Sequence, residues 1–333
     1  MNNNLVLKAF DISHNDTRCY ISKMNGKELK NIAKISRVDE EQNGYQRLLD
    51  ERRSRAIGKY IDEGYLLPGS IILSYKGNFD YNEFTNELVL NIQNDNLLVL
   101  DGQHRLYGAF LAQSDIELPI CLLCNLTIKQ EIQYFLDINS NQKGVPKTLQ
   151  QELTKYLLDN ETSPEAIRLA LFDRFYTDEN SPLYGRMTKT QSVVGKVSHV
   201  PFEKAISPLL SNSDSYLSMF KTLDEKYILL NNYLKAFSSV LEEIHNNDNL
   251  VSQAAFFESM FKVFDKVCSV SHINLKNLKE ESLYQVISCI KSLDFEKHTG
   301  SNKQAISNLS NEMITLIDAY SHAKFTNNGM DLL

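Results

Sequence analysis

Little in this sequence bends the chain. Thirteen glycines and seven prolines in 333 residues amount to about half the usual share, which argues against a turn-rich all-β architecture and for long helices. No apolar run approaches the ~20 residues of a membrane-spanning helix. The longest clean run is Ile120-Cys121-Leu122-Leu123-Cys124, so no membrane helix is expected. Positive charge is not in excess either. Against 42 Asp and Glu there are 35 Lys and Arg, a formal charge of −7, which excludes a surface that attracts polyanions all over. The start, Met1-Asn2-Asn3-Asn4, has neither the basic nor the apolar segment of a secretory signal, and a cytoplasmic protein is expected. Five cysteines (Cys19, Cys121, Cys124, Cys268, Cys289) are odd in number and dispersed, which suits reduced thiols better than a disulfide framework. Cys121 and Cys124 form one C-x-x-C with no second pair and no histidine nearby. They read as small hydrophobes of a buried strand rather than as zinc or redox ligands, and no metal site is assigned.

What remains is ordinary globular composition, 42% hydrophobic and 23% charged, with length for one large domain or two. Residues 5–10 and 18–24 read as strands about a turn at His14-Asn15-Asp16, and 27–35 as a short helix. Apolar residues at helical spacing (Tyr45, Leu48, Leu49, Ala56, Ile57, Tyr60, Ile61) predict a helix over 45–61, stopped by Gly64. Strands are expected over 70–75, 87–92 and 96–100, the last two joined in a hairpin by Asn94-Asp95. A helix follows from Asp101-Gly102 to about 113, then a strand over 118–126. Thr127-x-x-Gln130 and Thr148-x-x-Gln151 each have the form of a capping box that opens a helix. Beyond them no strand is evident, and 3.6-residue periodicity over 215–265 and 278–322 predicts helices. The expectation is an α+β chain: a mixed-sheet domain over 1–150 and an α-helical domain over 151–333.

The densest chemistry lies in Leu100-Asp101-Gly102-Gln103-His104-Arg105. An apolar strand that runs into these residues and then a helix sets them at unpaired N–H groups on the positive end of a helix dipole, a place that favours an anion. Gly102 permits close approach, Arg105 can grip a phosphate with two donors, and His104 can donate or carry a proton. The alternative is that Asp101 merely caps the helix while His104 and Arg105 are solvated. On the helix from Tyr45, Arg52 falls at about 340° and Arg53 at about 80° against an apolar stripe of about 300° to 60°. Arg52 is therefore expected to face inward and Arg53 to border the stripe, and each needs an anion, either a carboxylate such as Asp101 or a ligand phosphate. A third cluster, Asn139-Ser140-Asn141-Gln142-Lys143-Gly144, is an amide-rich loop able to contact a base or phosphate, and equally an ordinary loop.

Taken together, these residues resemble the DGQHR-domain family within the wider ParB/sulfiredoxin-like group, and especially the DndB-like proteins of DNA phosphorothioation loci. The resemblance spans roughly residues 30–155. It rests on Tyr45-Gln46-Arg47 with Arg53 and Ile57, Ser70-Ile71-Ile72-Leu73, Leu100 through Arg105, and Phe135 through Gln142. It implies a small mixed-sheet fold with nucleotide or phosphate bound by Arg53, Asp101, Gly102, Gln103, His104, Arg105, Asn139, Asn141, Gln142 and Lys143, a nucleoside triphosphate being the implied ligand. Sulfiredoxin chemistry needs a Cys where Gln103-His104 stands, so sulfinic-acid reduction is not expected. DndB-like proteins act as regulators on the promoter of the modification operon, so the resemblance implies a double-stranded DNA partner and a repressor.

A local DNA surface is sought in Ser181 to Lys204, where Arg186, Lys189, Lys196 and Lys204 against Glu203 carry +3. Arg186, Lys189 and Lys196, among hydroxyl and amide donors, are the candidates, in a helical domain expected to bind DNA or to form a homodimer. Should they not serve, the side of the first long helix that carries Arg47, Arg55 and Lys59 is next. The competing expectation is an NTPase or DNA-processing nuclease built on Asp101, His104 and Arg105; a third is an interaction subunit of a modification or defence complex.

Overall fold

A computed structural model describes residues 4–35, 50–93, 95–140, 146–158, 160–245, 248–295 and 300–326. These form a mixed α/β protein with thirteen α-helices and mixed sheets, divided into two compact units, Met1–Val145 and Pro146–Leu333. None of the described helices is long and apolar enough to cross a membrane.

The first unit runs β1 (Asn4–Lys8), β2 (Phe10–Asp11), β3 (Arg18–Asn25), α1 (Gly26–Ile32), α2 (Glu51–Asp62), β4 (Ile71–Tyr75), β5 (Phe79–Asn82), β6 (Glu87–Asn91), β7 (Leu97–Asp101), α3 (Gln103–Leu111), β8 (Glu117–Cys124) and α4 (Ile128–Ser140). Its main sheet has the order β2-β3-β8-β4-β7. The β4–β8 pair is parallel and the others are antiparallel. Alternation sorts the strands' residues between the two faces. Ile71, Leu73 and Tyr75 join Val99, Ile120 and Leu122 in a core that also takes Leu29, Ile61, Leu106 and Ala109 of α1–α3. On the other face Ser74 bonds Glu131 of α4 at 2.5 Å. Thr127 and Gln130 make the reciprocal capping box expected of them, Thr127 N–H to Gln130 Oε1 at 2.9 Å and Gln130 N–H to Thr127 Oγ1 at 3.2 Å.

Several expectations are corrected here. α1 stops before residue 35 because Lys34 is drawn into extended backbone beside β7: its N–H donates to Leu97 O and its carbonyl accepts from Val99 N–H, both at 2.8 Å. The proposed hairpin of 87–92 with 96–100 does not form. β6 pairs instead with β1 and with β5, a strand the sequence reading missed, while β7 pairs with β4. The turn that works is the one before β6, where Asn82 Oδ1 accepts from the Phe84 and Thr85 amides and Asn86 takes φ 52°.

The second unit comprises α5 (Lys147–Thr154), α6 (Pro164–Thr177), β9 (Met187–Thr188), β10 (Val197–Ser198), α7 (His199–Ser211), α8 (Tyr216–Met219), α9 (Leu223–His245), α10 (Ala254–Lys262), α11 (Phe264–Leu275), α12 (Glu280–Ile287) and α13 (Lys303–Ser321). β9 and β10 form a two-residue parallel pair in a region where no strand was expected. α9 runs through the core, with Leu230, Tyr233, Leu234, Phe237 and Leu241 buried on it. Tyr233 meets the rings of Phe237, Phe261 and Phe264, and its hydroxyl donates to Met260 O at 2.5 Å. The second capping box is also corrected: Pro146, with φ −53°, caps α5 without a side-chain bond, and Thr148 lies buried within the first turn.

α2 and α3 pack side by side and run the same way. At one end Asp50 N–H reaches His104 Nε2 at 3.2 Å, and at the other Ser114 N–H donates to Asp62 Oδ1 at 2.9 Å. Between them the backbones approach closely at small residues. A Cβ on Gly108 would stand 2.4 Å from Ile57 Cγ2 and 3.0 Å from Ser54 O. Gly108→Ala should therefore lower the unfolding free energy by about 1–3 kcal/mol, read from urea denaturation; an unchanged midpoint would show that the contact yields.

Candidate functional site

The contact between α2 and α3 sets two helix N-termini side by side at the end of the sheet where β7 finishes. α2 is closed by Asp50, whose Oδ1 accepts from the Arg52 amide at 3.0 Å and the Arg53 amide at 3.3 Å. α3 starts differently. Its cap is Gly102 at φ 94°, a residue with no side chain to close the first turn. Glycine is required there on two counts: the left-handed backbone, and a Cβ that would lie 2.8 Å from Ile71 Cδ1.

Asp101 therefore does not cap the helix. Its Oδ2 accepts from Arg105 Nη2 at 2.7 Å, and the same nitrogen donates to Ser70 O at 2.9 Å. Arg105 thus folds back over Gly102 and ties the start of β4 to the end of β7, with both side chains mostly buried. Arg105 Nε and Gln103 Oε1 are buried without a hydrogen-bond partner among the described residues. The His104 ring accepts the Asp50 amide at Nε2, so its neutral form carries its proton on Nδ1.

Arg52 does not face inward as expected; it and Arg53 are both exposed. The buried stripe of α2 is Ser54, Gly58 and Ile61. Small residues that make a close helix contact carry no apolar signal, so the wheel weighted by Tyr60 and Ala56 pointed the wrong way. Neither arginine takes Asp101, which belongs to Arg105. α4 leaves the end of β8 beside Tyr75 and lies on β7, so it returns toward the Asp101 end of the sheet. Near its C-terminus Asn139 Nδ2 bonds Phe135 O of its own helix at 2.8 Å. Asn141, Gln142, Lys143 and Tyr45-Gln46-Arg47 lie outside the described residues.

Cys121 and Cys124, three apart on a strand, point to opposite faces of β8. Cys121 lies 3.5 Å from Cys19 Sγ across the β3–β8 ladder. That hydrogen bond lowers the Cys121 thiol to about 7 against the effect of burial, while burial raises Cys124 to about 12.

Residues 7–287 match the family model of DndB, described as DNA-sulfur modification-associated. The chain belongs to the DndB family. No curated protein and no solved structure matches it.

The family match extends through most of the second unit, where the three DNA candidates differ in setting. Arg186 Nη1 lies 2.7 Å from Asp248 Oδ1, with both side chains at least two-thirds buried. Lys189 Nζ lies 2.5 Å from Asp173 Oδ1 and 3.6 Å from Glu152 Oε1, over the Tyr176 ring. Lys196 is exposed. Lys189 belongs to a buried charge network that sequence reasoning missed. Its members stand far apart in the chain, Glu152 on α5, Asp173 on α6, Lys189 after β9 and His199 on α7, and only tertiary packing brings them together. Glu152 accepts from Lys155 and from His199 Nε2, the latter at 2.8 Å, while His199 stacks on Phe172 at 3.6 Å. Arg168 is 1% exposed. Its Nη1 and His199 Nδ1 have no hydrogen-bond partner among the described residues.

Removing the charge-assisted bonds of the clamp by Arg105→Ala should cost on the order of 1–3 kcal/mol and lower Tm, whereas Arg53→Ala should leave Tm unchanged; equal Tm values for both would dismiss the clamp. Burial, opposed by the bond to Glu152, holds His199 below the usual histidine range. The Glu152 carboxyl is held low too, since the His199 bond and the Lys155 and Lys189 charges outweigh burial. The unfolded chain thus binds more protons at both groups, so stability is full above about pH 6.5 and falls as pH drops from there through the carboxylate range. His199→Gln should flatten the upper part of that fall in urea titrations; an unchanged profile would remove His199 from it.

Proposed function

We propose that this chain is a DNA-binding regulator, a repressor, of a DNA sulfur-modification operon, with a nucleoside triphosphate sensed at the Asp101–Arg105 turn. Membership of the DndB family, DNA-sulfur modification-associated, carries this reading. The local geometry favours binding over group transfer. The Asp101 carboxylate, the Arg105 guanidinium and the His104 Nε2 lone pair are the groups an NTPase or nuclease would use here. Each is engaged by the scaffold, with Arg105, Ser70 and Asp50 as partners. Phosphates would find the first-turn amides of α3 and the exposed Arg53 instead. The parallel β4–β8 pair, the helices on both faces and α3 rising from Gly102 suit the ParB/sulfiredoxin-like arrangement the resemblance implies.

With a formal charge of −7, non-specific affinity for DNA is weak, so recognition falls to a local basic face on an operator in the cytoplasm. A homodimer on inverted half-sites matches the twofold symmetry of such operators. Fluorescence anisotropy on a duplex from upstream of the operon tests the reading. A scrambled duplex should bind about 10³-fold more weakly. Millimolar ATP should change the operator affinity of the wild type and not that of Arg53→Ala. Equal affinity for the two duplexes would contradict the regulator, and an ATP effect retained in Arg53→Ala would contradict the phosphate site.

A further inference from the structure

The basic residues of α2 form a row. Arg52, Arg55 and Lys59 follow one another at three and four residues, so at 100° per residue they leave one side of the helix, about 125° round from the buried Ser54, Gly58 and Ile61. The row is about 10 Å long, and all three side chains are exposed. Arg52 holds no side-chain partner among the described residues. Arg55 Nη2 lies 3.1 Å from Glu51 and Lys59 Nζ 3.7 Å from Glu63, in pairs whose four side chains are all at least half exposed. Ion pairs so exposed contribute almost nothing, so a phosphodiester can take the place of either carboxylate at little cost. Beside the row, Arg55 and Lys59 line a groove of about 430 Å³ with Glu51, Gly58, Asp62, Tyr107 and Leu111.

The cations of the second unit contrast with these. Withdrawing Lys189 would leave Asp173 and the buried Glu152 short of a counter-charge, and withdrawing Arg186 would strand the mostly buried Asp248. Buried carboxylates do not give up their partners cheaply.

We infer that the Arg52–Arg55–Lys59 face of α2 is the surface that takes the DNA backbone. This rests on the DNA-binding reading above and names the face for it; Arg186 and Lys189 are structural. The same face supplies phosphate contacts without base readout, so it sets affinity and salt dependence and leaves sequence choice to other residues.

The test is a salt series of anisotropy titrations with full-length protein on the upstream duplex. Arg52→Ala, Arg55→Ala and Lys59→Ala should each flatten the slope of log affinity against log salt by about 0.9 per protomer; Lys262→Ala, exposed on α10, should not. Glu51→Gln and Glu63→Gln, which remove the competing carboxylates, should tighten binding by about 1.5- to 5-fold at low salt, an effect that loss of fold cannot mimic. Slopes unchanged in the three α2 variants, or a slope lost in Lys196→Ala alone, would overturn this face while leaving DNA binding intact. A wild-type chain that binds neither the upstream nor the scrambled duplex would overturn both.

Discussion

The first unit depends on one guanidinium. Arg105 turns back over Gly102 to hold Asp101 at 2.7 Å and Ser70 O at 2.9 Å, and so joins the last residue of β7 to the residue before β4. With Asp101 held this way, its carboxylate is unavailable as a helix cap, and α3 begins from a left-handed glycine that has no side chain to cap it. That Asp101 does not close the positive end of the helix is thus a consequence of the clamp. An arrangement in which Asp101 capped α3 would satisfy its first-turn amides and leave Arg105 without its carboxylate.

Close packing then doubles the effect. Ser54, Gly58 and Gly108 let α2 and α3 run side by side in the same direction, which places their N-termini together and fixes His104 against the Asp50 amide. Helices in this orientation add their dipoles at the end where β7 finishes, and the basic row of α2 continues from it along the helix. A phosphate-responsive turn and a phosphate-contacting helix face would then share one rigid pair of helices. Nucleotide at the turn and DNA on α2, as proposed, would both be polyanions drawn to the same field, and one ligand would then weaken the other.

Much of this was legible in the sequence. The strand-to-helix switch at Asp101-Gly102, the Thr127–Gln130 box and the stop at Gly64 all rest on short-range chemistry that each residue type performs wherever it stands. The five-residue turn also carried the family resemblance that the match over residues 7–287 bears out. What escaped was set by distant partners. β5 hid behind its short length, and the hairpin assigned to 87–100 failed because strand pairing is decided by the whole sheet. Arg52 was turned the wrong way because a helix face built from Ser54 and Gly58 is invisible to a count of apolar residues. Lys189 reads as a candidate DNA contact from the sequence, because nothing near it in the chain announces Asp173, Glu152 and His199.

Backbone amide resonances report most directly on whether phosphate binds at the first turn of α3, as proposed. In a titration of ¹⁵N-labelled protein with ATP, the amides of Gln103, His104 and Arg105 should shift together along one binding curve, and the curve should move to higher concentration in Arg53→Ala. Amides of the first turn that stay still at saturating ATP, while others in the chain move, would contradict the account.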